Sequence, residues 1–440
     1  MGFAIFLLFL AINFVRPDAY APELAAHRPV FVVMAIALPT ALLGALGRRQ
    51  WPARPAAFVC LGLLLLSAGV SEVTNGWAGG SLRAISTFLP PVLSGLLTVL
   101  SVSSGRRLRY AASVIVWCMT GLTALSIYSF YTGYDAQRYV MQEYGTAKEA
   151  PGEIYVPADH VDEGILFRIR SVGLLADPND FSQMMVVALA LLFGLYSGKR
   201  DLRRAAALCT STFVLIWGLY LTHSRGSLIG LGLAIIVGLL QTLGLARASA
   251  MLALGAITAK ILDFTGGRAI SDAGESAAHR IDYWNLGLHL LAKHPLFGIG
   301  FGNFENANTM TGQTAHNTFM LCAAELGFVG LFFFISLLVF SFRSVSDAIN
   351  STALAEIHSE RRLANGLRAA LAGFLGCAWF LSRTYDPLLY ILLGLCLACG
   401  GAAGRTNSDN RPWMLTSGLW SLATLVLLYA FVIGQRIAGH

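Results

Sequence analysis

Four arginines and one histidine carry the chemistry that can be read from this sequence: Arg168 and Arg170 in FRIRSVGLLADPND, Arg225 in THSRGS, Arg280 in AHRIDYW, and His316 in AHN. A guanidinium offers planar, paired N–H donors that match phosphate oxygens, so several of them at one membrane face suit a phosphate or diphosphate. Taken singly, each has an ordinary alternative: snorkelling to water or pairing with a carboxylate. His316 stands where a long apolar helix begins, and the positive end of that helix disfavours a protonated ring. A neutral imidazole at an aqueous membrane interface can take a proton from an attacking hydroxyl; capping or packing the helix start is its structural alternative.

Other candidates surround these five. Asn317 follows the histidine, and Glu325 lies about two turns further on, inside the span, where a carboxylate needs a partner. An outer-face arginine is the expected one. Asp159, Asp162 and Glu163, or Asp177 with Asp180, could hold a hard cation, but Asp177-Pro-Asn-Asp180 precedes a span and is better placed to start and cap it. Neither a metal nor a cofactor is expected. His294-Pro-Leu-Phe-Gly-Ile-Gly-Phe-Gly-Asn-Phe has the look of a dinucleotide fingerprint without the strand that one requires, so a tight re-entrant or surface turn is expected there. Residues 280–293 place Ile281, Trp284, Leu288 and Leu291 on one stripe, which suits an interfacial helix or a helix packed on the bundle. The seven cysteines fall in apolar stretches, and Cys396 and Cys399 lie within a predicted span, so buried thiols are expected rather than a disulfide framework or a zinc site.

The elements that must position these residues follow from composition. Over 440 residues the chain is 56% hydrophobic and 12% charged, against roughly a quarter charged in soluble domains. That excludes a water-soluble globule. Apolar runs of about 18 to 22 residues match the length that crosses a bilayer core as a helix. Candidate spans are 2–15, 29–47, 54–71, 84–102, 110–130, 180–197, 205–222, 226–246, 248–262, 317–342, 367–382, 385–403 and 413–434. Twelve or thirteen crossings are therefore expected, the first and ninth being short; the first reads as a retained helix rather than a signal peptide.

The net charge of +7 needs no nucleic acid as partner. Basic residues cluster in alternate connections: Arg48, Arg49 and Arg54; Arg106, Arg107 and Arg109; Lys199, Arg200, Arg203 and Arg204; Arg247; Arg343, Arg361, Arg362 and Arg368; Arg405 and Arg411. Positive charge resists translocation, which puts this set and the N-terminus in the cytoplasm. The two long connections then face outward, and long connections are usually functional. The expected organisation is all-α, a polytopic transmembrane helical bundle: membrane spans over 1–130, a first long loop 131–179, central spans over 180–262, a second long loop 263–315, and C-terminal spans over 316–440.

Five motifs in this order resemble the O-antigen ligase and polymerase superfamily: R-x-x-G-x-x-x-D-P-N from Arg170 to Asn179, S-R-G from Ser224, R-x-x-x-W from Arg280, H-P-x-x-G-x-G-x-x-N-F from His294, and H-N followed by E-x-G from His316 to Gly327. The resemblance covers roughly 165–330. It implies a GT-C-like, metal-independent glycosyltransferase of the bacterial inner membrane, working at the periplasmic face. Such enzymes move a glycan from undecaprenyl diphosphate to an acceptor hydroxyl, that of a lipid A core for a ligase or of another carrier-linked repeat for a polymerase. On this likeness His316 is the base, Arg225 and Arg280 bind the diphosphate, and Arg170 or Arg168 adds an anion contact, with Asn317 and Glu325 in support. The chemistry of the residues agrees, since the leaving diphosphate needs fixed positive charge and the incoming hydroxyl needs a base. Direct attack would invert the anomeric centre. Nucleotide-sugar donors are cytosolic, which argues against them at an outward site. A flippase for lipid-linked glycans would show mid-span charges in both halves and internal pseudo-symmetry, and neither is evident.

Overall fold

The computed structural model describes residues 2–48, 54–144, 165–196, 202–261, 270–351, 358–402 and 412–437. Thirteen helices of fourteen residues or more run through them: α1 (Gly2–Val15), α2 (Pro29–Arg48), α3 (Pro55–Thr74), α4 (Ala78–Ser101), α5 (Gly105–Thr132), α6 (Pro178–Leu195), α7 (Leu202–Leu221), α8 (Arg225–Ile261), α9 (Ile270–Lys293), α10 (Thr318–Ile349), α11 (His358–Ala378), α12 (Pro387–Ala402) and α13 (Trp413–Ile437). The protein is all-α and polytopic. Among the described residues nine helices are long and apolar enough to cross a membrane, and two shorter apolar stretches, Arg225–Leu240 and Pro387–Gly401, join them.

The expected span at 248–262 continues α8 beyond a break at Gly244, whose backbone is non-helical. That at 367–382 belongs to α11, whose first half carries Glu360, Arg361 and Arg362. The first long connection holds a feature that its sequence did not announce: β1 (Val140–Tyr144) and β2 (Ile165–Ile169) pair antiparallel, Val140 opposite Ile169 and Tyr144 opposite Ile165.

The chain divides into two compact units, each drawn from three separate stretches: Met1–Pro39, Arg106–Gly267 and Ile357–Cys377 form one, and Thr40–Gly105, Arg268–Glu356 and Ala378–His440 the other. In the first unit, α6 packs against α7 and α8. Glycines permit the close approaches there. A Cβ on Gly194 would press on the backbone of Leu363 and Gly366, and one on Gly230 would strike Cys377 and the Gly373 carbonyl. Small residues at such crossings let helix backbones meet where no water drives association.

In the second unit, α10 is the central element, touching α3, α9, α12 and α13, while α4 packs on α3 and α12. The two ends of α3 meet different partners. At its start Arg54 bonds Ser344 at 3.0 Å and pairs with Asp347 near the end of α10. At its far end Asn75 donates to the Gly298 carbonyl at 2.9 Å. Arg54 and Arg343 therefore share one end of this unit and the 294–304 turn occupies the other, as the alternation of basic connections requires. The first unit sorts in the same way: Arg107 lies over the Phe3 ring at the start of α1, and beyond the end of α1 Tyr20 accepts from Tyr139 at 2.9 Å.

Candidate functional site

Arg168, Arg170 and Arg225 fall in the first unit. Arg168, on β2, is buried at 4% exposure. Its Nε donates to the Thr222 carbonyl at 2.7 Å and its Nη2 to Asn179 Oδ1 at 2.9 Å. Those bonds tie the ribbon to the end of α7 and the start of α6, a structural use of the guanidinium. Arg170 is held at its backbone, where its N–H reaches the Tyr139 carbonyl at 2.8 Å and its carbonyl accepts from Ser126 Oγ at 2.8 Å. Its Nη2 donates to the Gln137 carbonyl at 2.6 Å. Asp177 caps α6 as expected, Oδ1 accepting from the Asn179 N–H at 2.7 Å. The candidate carboxylates Asp159, Asp162 and Glu163 lie outside the described residues.

Arg225 is the first residue of α8 and half-buried. Beneath it runs a chain of hydroxyls: Ser227 Oγ donates to Ser224 Oγ at 2.8 Å and also meets Ser182 Oγ, which in turn donates to the Asn179 carbonyl at 2.8 Å. His223 precedes this helix start with φ at +47°, its buried ring edge-on to Tyr220 at 5.4 Å. Left-handed backbone at a residue other than glycine costs about 1–3 kcal/mol and is retained where surroundings over-determine it.

The second unit repeats that local arrangement. His316 also has φ at +47°, and it too stands two residues before a helix begins. Asn317 supplies the cap: its Oδ1 accepts from the N–H groups of Phe319 and Met320, both at 2.9 Å, and its Nδ2 donates to the Trp379 carbonyl at 2.9 Å. The imidazole is thereby relieved of capping. His316 Nε2 lies 3.1 Å from Gln313 Oε1, and the ring sits 6.0 Å from that of Tyr283, whose hydroxyl is 3.5 Å from the same amide oxygen. The tautomer with its proton on Nε2 would donate to this amide oxygen and leave the lone pair on Nδ1.

Helix α9 supports this turn from below. Ile281, Tyr283 and Trp284 are buried, and the Trp284 Nε1 donates to the Ala315 carbonyl at 3.0 Å, fixing the residue before His316. Around 281–288 this is a helix packed on its unit, the second of the two roles that the stripe allowed. Arg280, one turn before Trp284, lies over the Phe380 ring at 5.8 Å.

Glu325 corrects an expectation. Among the described residues no arginine bonds it: Oε2 accepts from the Tyr385 hydroxyl at 2.7 Å and Oε1 from the Phe304 N–H at 3.0 Å. A phenol and an amide satisfy the buried carboxylate without a second charge having to be desolvated beside it. The glycine motif folds onto the same place. At Gly327 α10 leaves helical geometry, with φ +65° and ψ −165°. Into this break the 294–304 turn inserts its backbone, Ile299 N–H to the Ala324 carbonyl at 3.0 Å, Gly300 N–H to that of Glu325 at 3.1 Å, and Phe328 N–H to that of Pro295 at 2.8 Å. A Cβ on Gly298 would overlap the Glu325 carbonyl, and one on Gly327 the carbonyl of Leu296. The expected tight turn is there, locked into a broken helix.

Sequence reasoning missed Gln313, Tyr385, His223 and Glu72. Glu72 is buried at the end of α3, where Asn303 Nδ2 reaches it at 3.4 Å. The parallel between THSR and AHNT, a histidine and a short polar residue before a helix, was the available signal for His223.

No curated protein matches the chain. A family model described as O-antigen ligase matches residues 210–335, a stretch that encloses Arg225, Arg280, His316, Asn317 and Glu325. This match supports the resemblance to the O-antigen ligase and polymerase superfamily over that stretch, and the apolar helices are those of a multi-pass membrane protein.

Proposed function

We propose that the protein is an O-antigen ligase-like inverting glycosyltransferase of the bacterial inner membrane. It moves a glycan from undecaprenyl diphosphate to an acceptor hydroxyl of a lipid A core at the periplasmic face, without a metal or other cofactor. The observation that carries this reading is the His316 turn: an imidazole relieved of capping by Asn317, held in left-handed backbone and bonded through Nε2 to a neutral amide. His316 Nδ1 takes the proton of the acceptor hydroxyl as its oxygen attacks the anomeric carbon. Arg280 holds the departing diphosphate in the second unit, and Arg225 and Arg170, in the first, are the further anion ligands that the resemblance implies. Arg168, the other arginine nominated for this role, is engaged with Thr222 and Asn179, and its part is to fix the ribbon that carries Arg170.

The test is transfer by the purified protein from undecaprenyl diphosphate carrying a labelled glycan, offered a lipid A core or a second carrier-linked glycan. Label on the lipid A core, undiminished by chelator, supports the ligase. Label on the carrier-linked acceptor alone makes the protein a polymerase, and loss of activity with chelator contradicts the metal-independent mechanism.

A further inference from the structure

Residues 379–386 lie beyond the family-matched stretch, in the second unit, and their sequence, WFLSRTYD, suggested no role. In the structure the side chains of Asn317 and Thr318, at the start of α10, both bond to them. Asn317 Nδ2 donates to the Trp379 carbonyl at 2.9 Å, Thr318 Oγ1 donates to the Leu381 carbonyl at 2.6 Å and accepts from the Arg383 N–H at 2.9 Å, and Thr384 Oγ1 donates to the Thr318 carbonyl at 2.8 Å. Thr314, two residues before His316, donates to Ser382 Oγ at 2.9 Å. The same segment carries Phe380, the ring under Arg280.

Its own shape is fixed independently. Arg383 pairs with Asp386 at 2.8 Å, Asp386 Oδ1 accepts from the Leu388 N–H at 2.8 Å at the start of α12, and the Tyr390 hydroxyl donates to the Thr384 carbonyl at 2.9 Å. Tyr385 closes the strap onto the helix break: its hydroxyl bonds Glu325, and its ring lies 4.3 Å from that of Phe301 and 5.0 Å from that of Phe88.

We propose that residues 379–386 form a strap that positions both the His316 imidazole, through Thr318 and Ser382, and the Arg280 guanidinium, through Phe380, with Tyr385 as its latch. This inference rests on the roles proposed above for His316 and Arg280. Thr318, Phe380 and Tyr385 are positioning residues. Their substitution therefore separates two kinetic effects, because losing alignment of a base lowers turnover whereas losing orientation of an anion ligand weakens donor binding.

The experiment measures kcat and KM for undecaprenyl diphosphate-linked labelled glycan with the full-length protein in detergent, per folded molecule by size-exclusion yield. Thr318→Val is expected to lower kcat by about 10- to 100-fold with KM unchanged, and Thr318→Ser to restore it. Phe380→Leu is expected to raise KM about tenfold with kcat retained, the scale of one lost positioning contact. Tyr385→Phe should do both, more weakly. His316→Ala and Arg280→Ala run alongside. If those two are inactive while the strap variants keep wild-type kcat and KM per folded molecule, the strap is merely structural and the inference is overturned. If His316→Ala and Arg280→Ala are themselves fully active, the roles assigned to those residues fail first, and the inference falls with them.

Discussion

His316 Nε2 faces Gln313 Oε1 at 3.1 Å, so one ring partner of this imidazole is an amide three residues earlier in the same turn. A carboxylate in that place would favour the charged ring; a neutral amide orients it without doing so. Gln313→Ala is expected to cut turnover about tenfold with the donor KM unchanged, since the imidazole remains while its orientation loosens. Steady-state kinetics with varied donor check this.

Arg168 and Arg225 should separate cleanly. Arg168→Ala strands the Thr222 carbonyl and Asn179 in a buried setting, which is expected to cost about 2–4 kcal/mol and to show as a lowered unfolding temperature in detergent. Arg225→Ala is expected to leave that temperature nearly unchanged and to abolish transfer. Arg107→Ala, which removes a cation–ring contact with Phe3 at the other end of the first unit, should be near neutral in both assays.

Gly298→Ala and Gly327→Ala each place a Cβ against a carbonyl at positive φ. Each is expected to cost more than about 2 kcal/mol, because backbone strain and overlap add. Thermal unfolding and the yield of folded protein report the loss. Gly302→Ala, also at positive φ but facing open space, should cost less.

The anomeric outcome follows from a single direct displacement. The product linkage should have the configuration opposite to that of the carrier linkage, read from the anomeric proton coupling by NMR. Retention would require a covalent intermediate and a nucleophile that the proposed mechanism lacks.

Much of this architecture is legible in the sequence because a bilayer demands long apolar helices, and 84–102, 110–130 and 180–197 are found within a few residues of α4, α5 and α6. Helix breaks are less visible. The apolar runs through Gly244 and Gly327 continue on both sides, and hydropathy averages over a single residue of left-handed backbone. At Gly327 the clue lay elsewhere, in the alternating glycines at 298, 300 and 302, whose partner in the fold is the broken helix. The partner of Glu325 was hidden for a similar reason. Tyr385 sits where 367–382 and 385–403 read as adjoining spans, so a polar strap was absorbed into apolar sequence. His316, Arg225 and Arg280 were legible because charge and imidazole are rare near spans, whereas Gln313, an uncharged residue in a polar loop, gives no such contrast.

Single-turnover transfer tests the central claim most directly. Purified wild-type protein and His316→Ala are each mixed in excess with undecaprenyl diphosphate-linked labelled glycan and a lipid A core acceptor, and labelled acceptor is followed with time. The wild type should form labelled acceptor and release undecaprenyl diphosphate in equal amounts, while His316→Ala, equally folded and still binding donor, forms almost none. Transfer by His316→Ala at the wild-type rate would show that another group accepts the proton of the attacking hydroxyl.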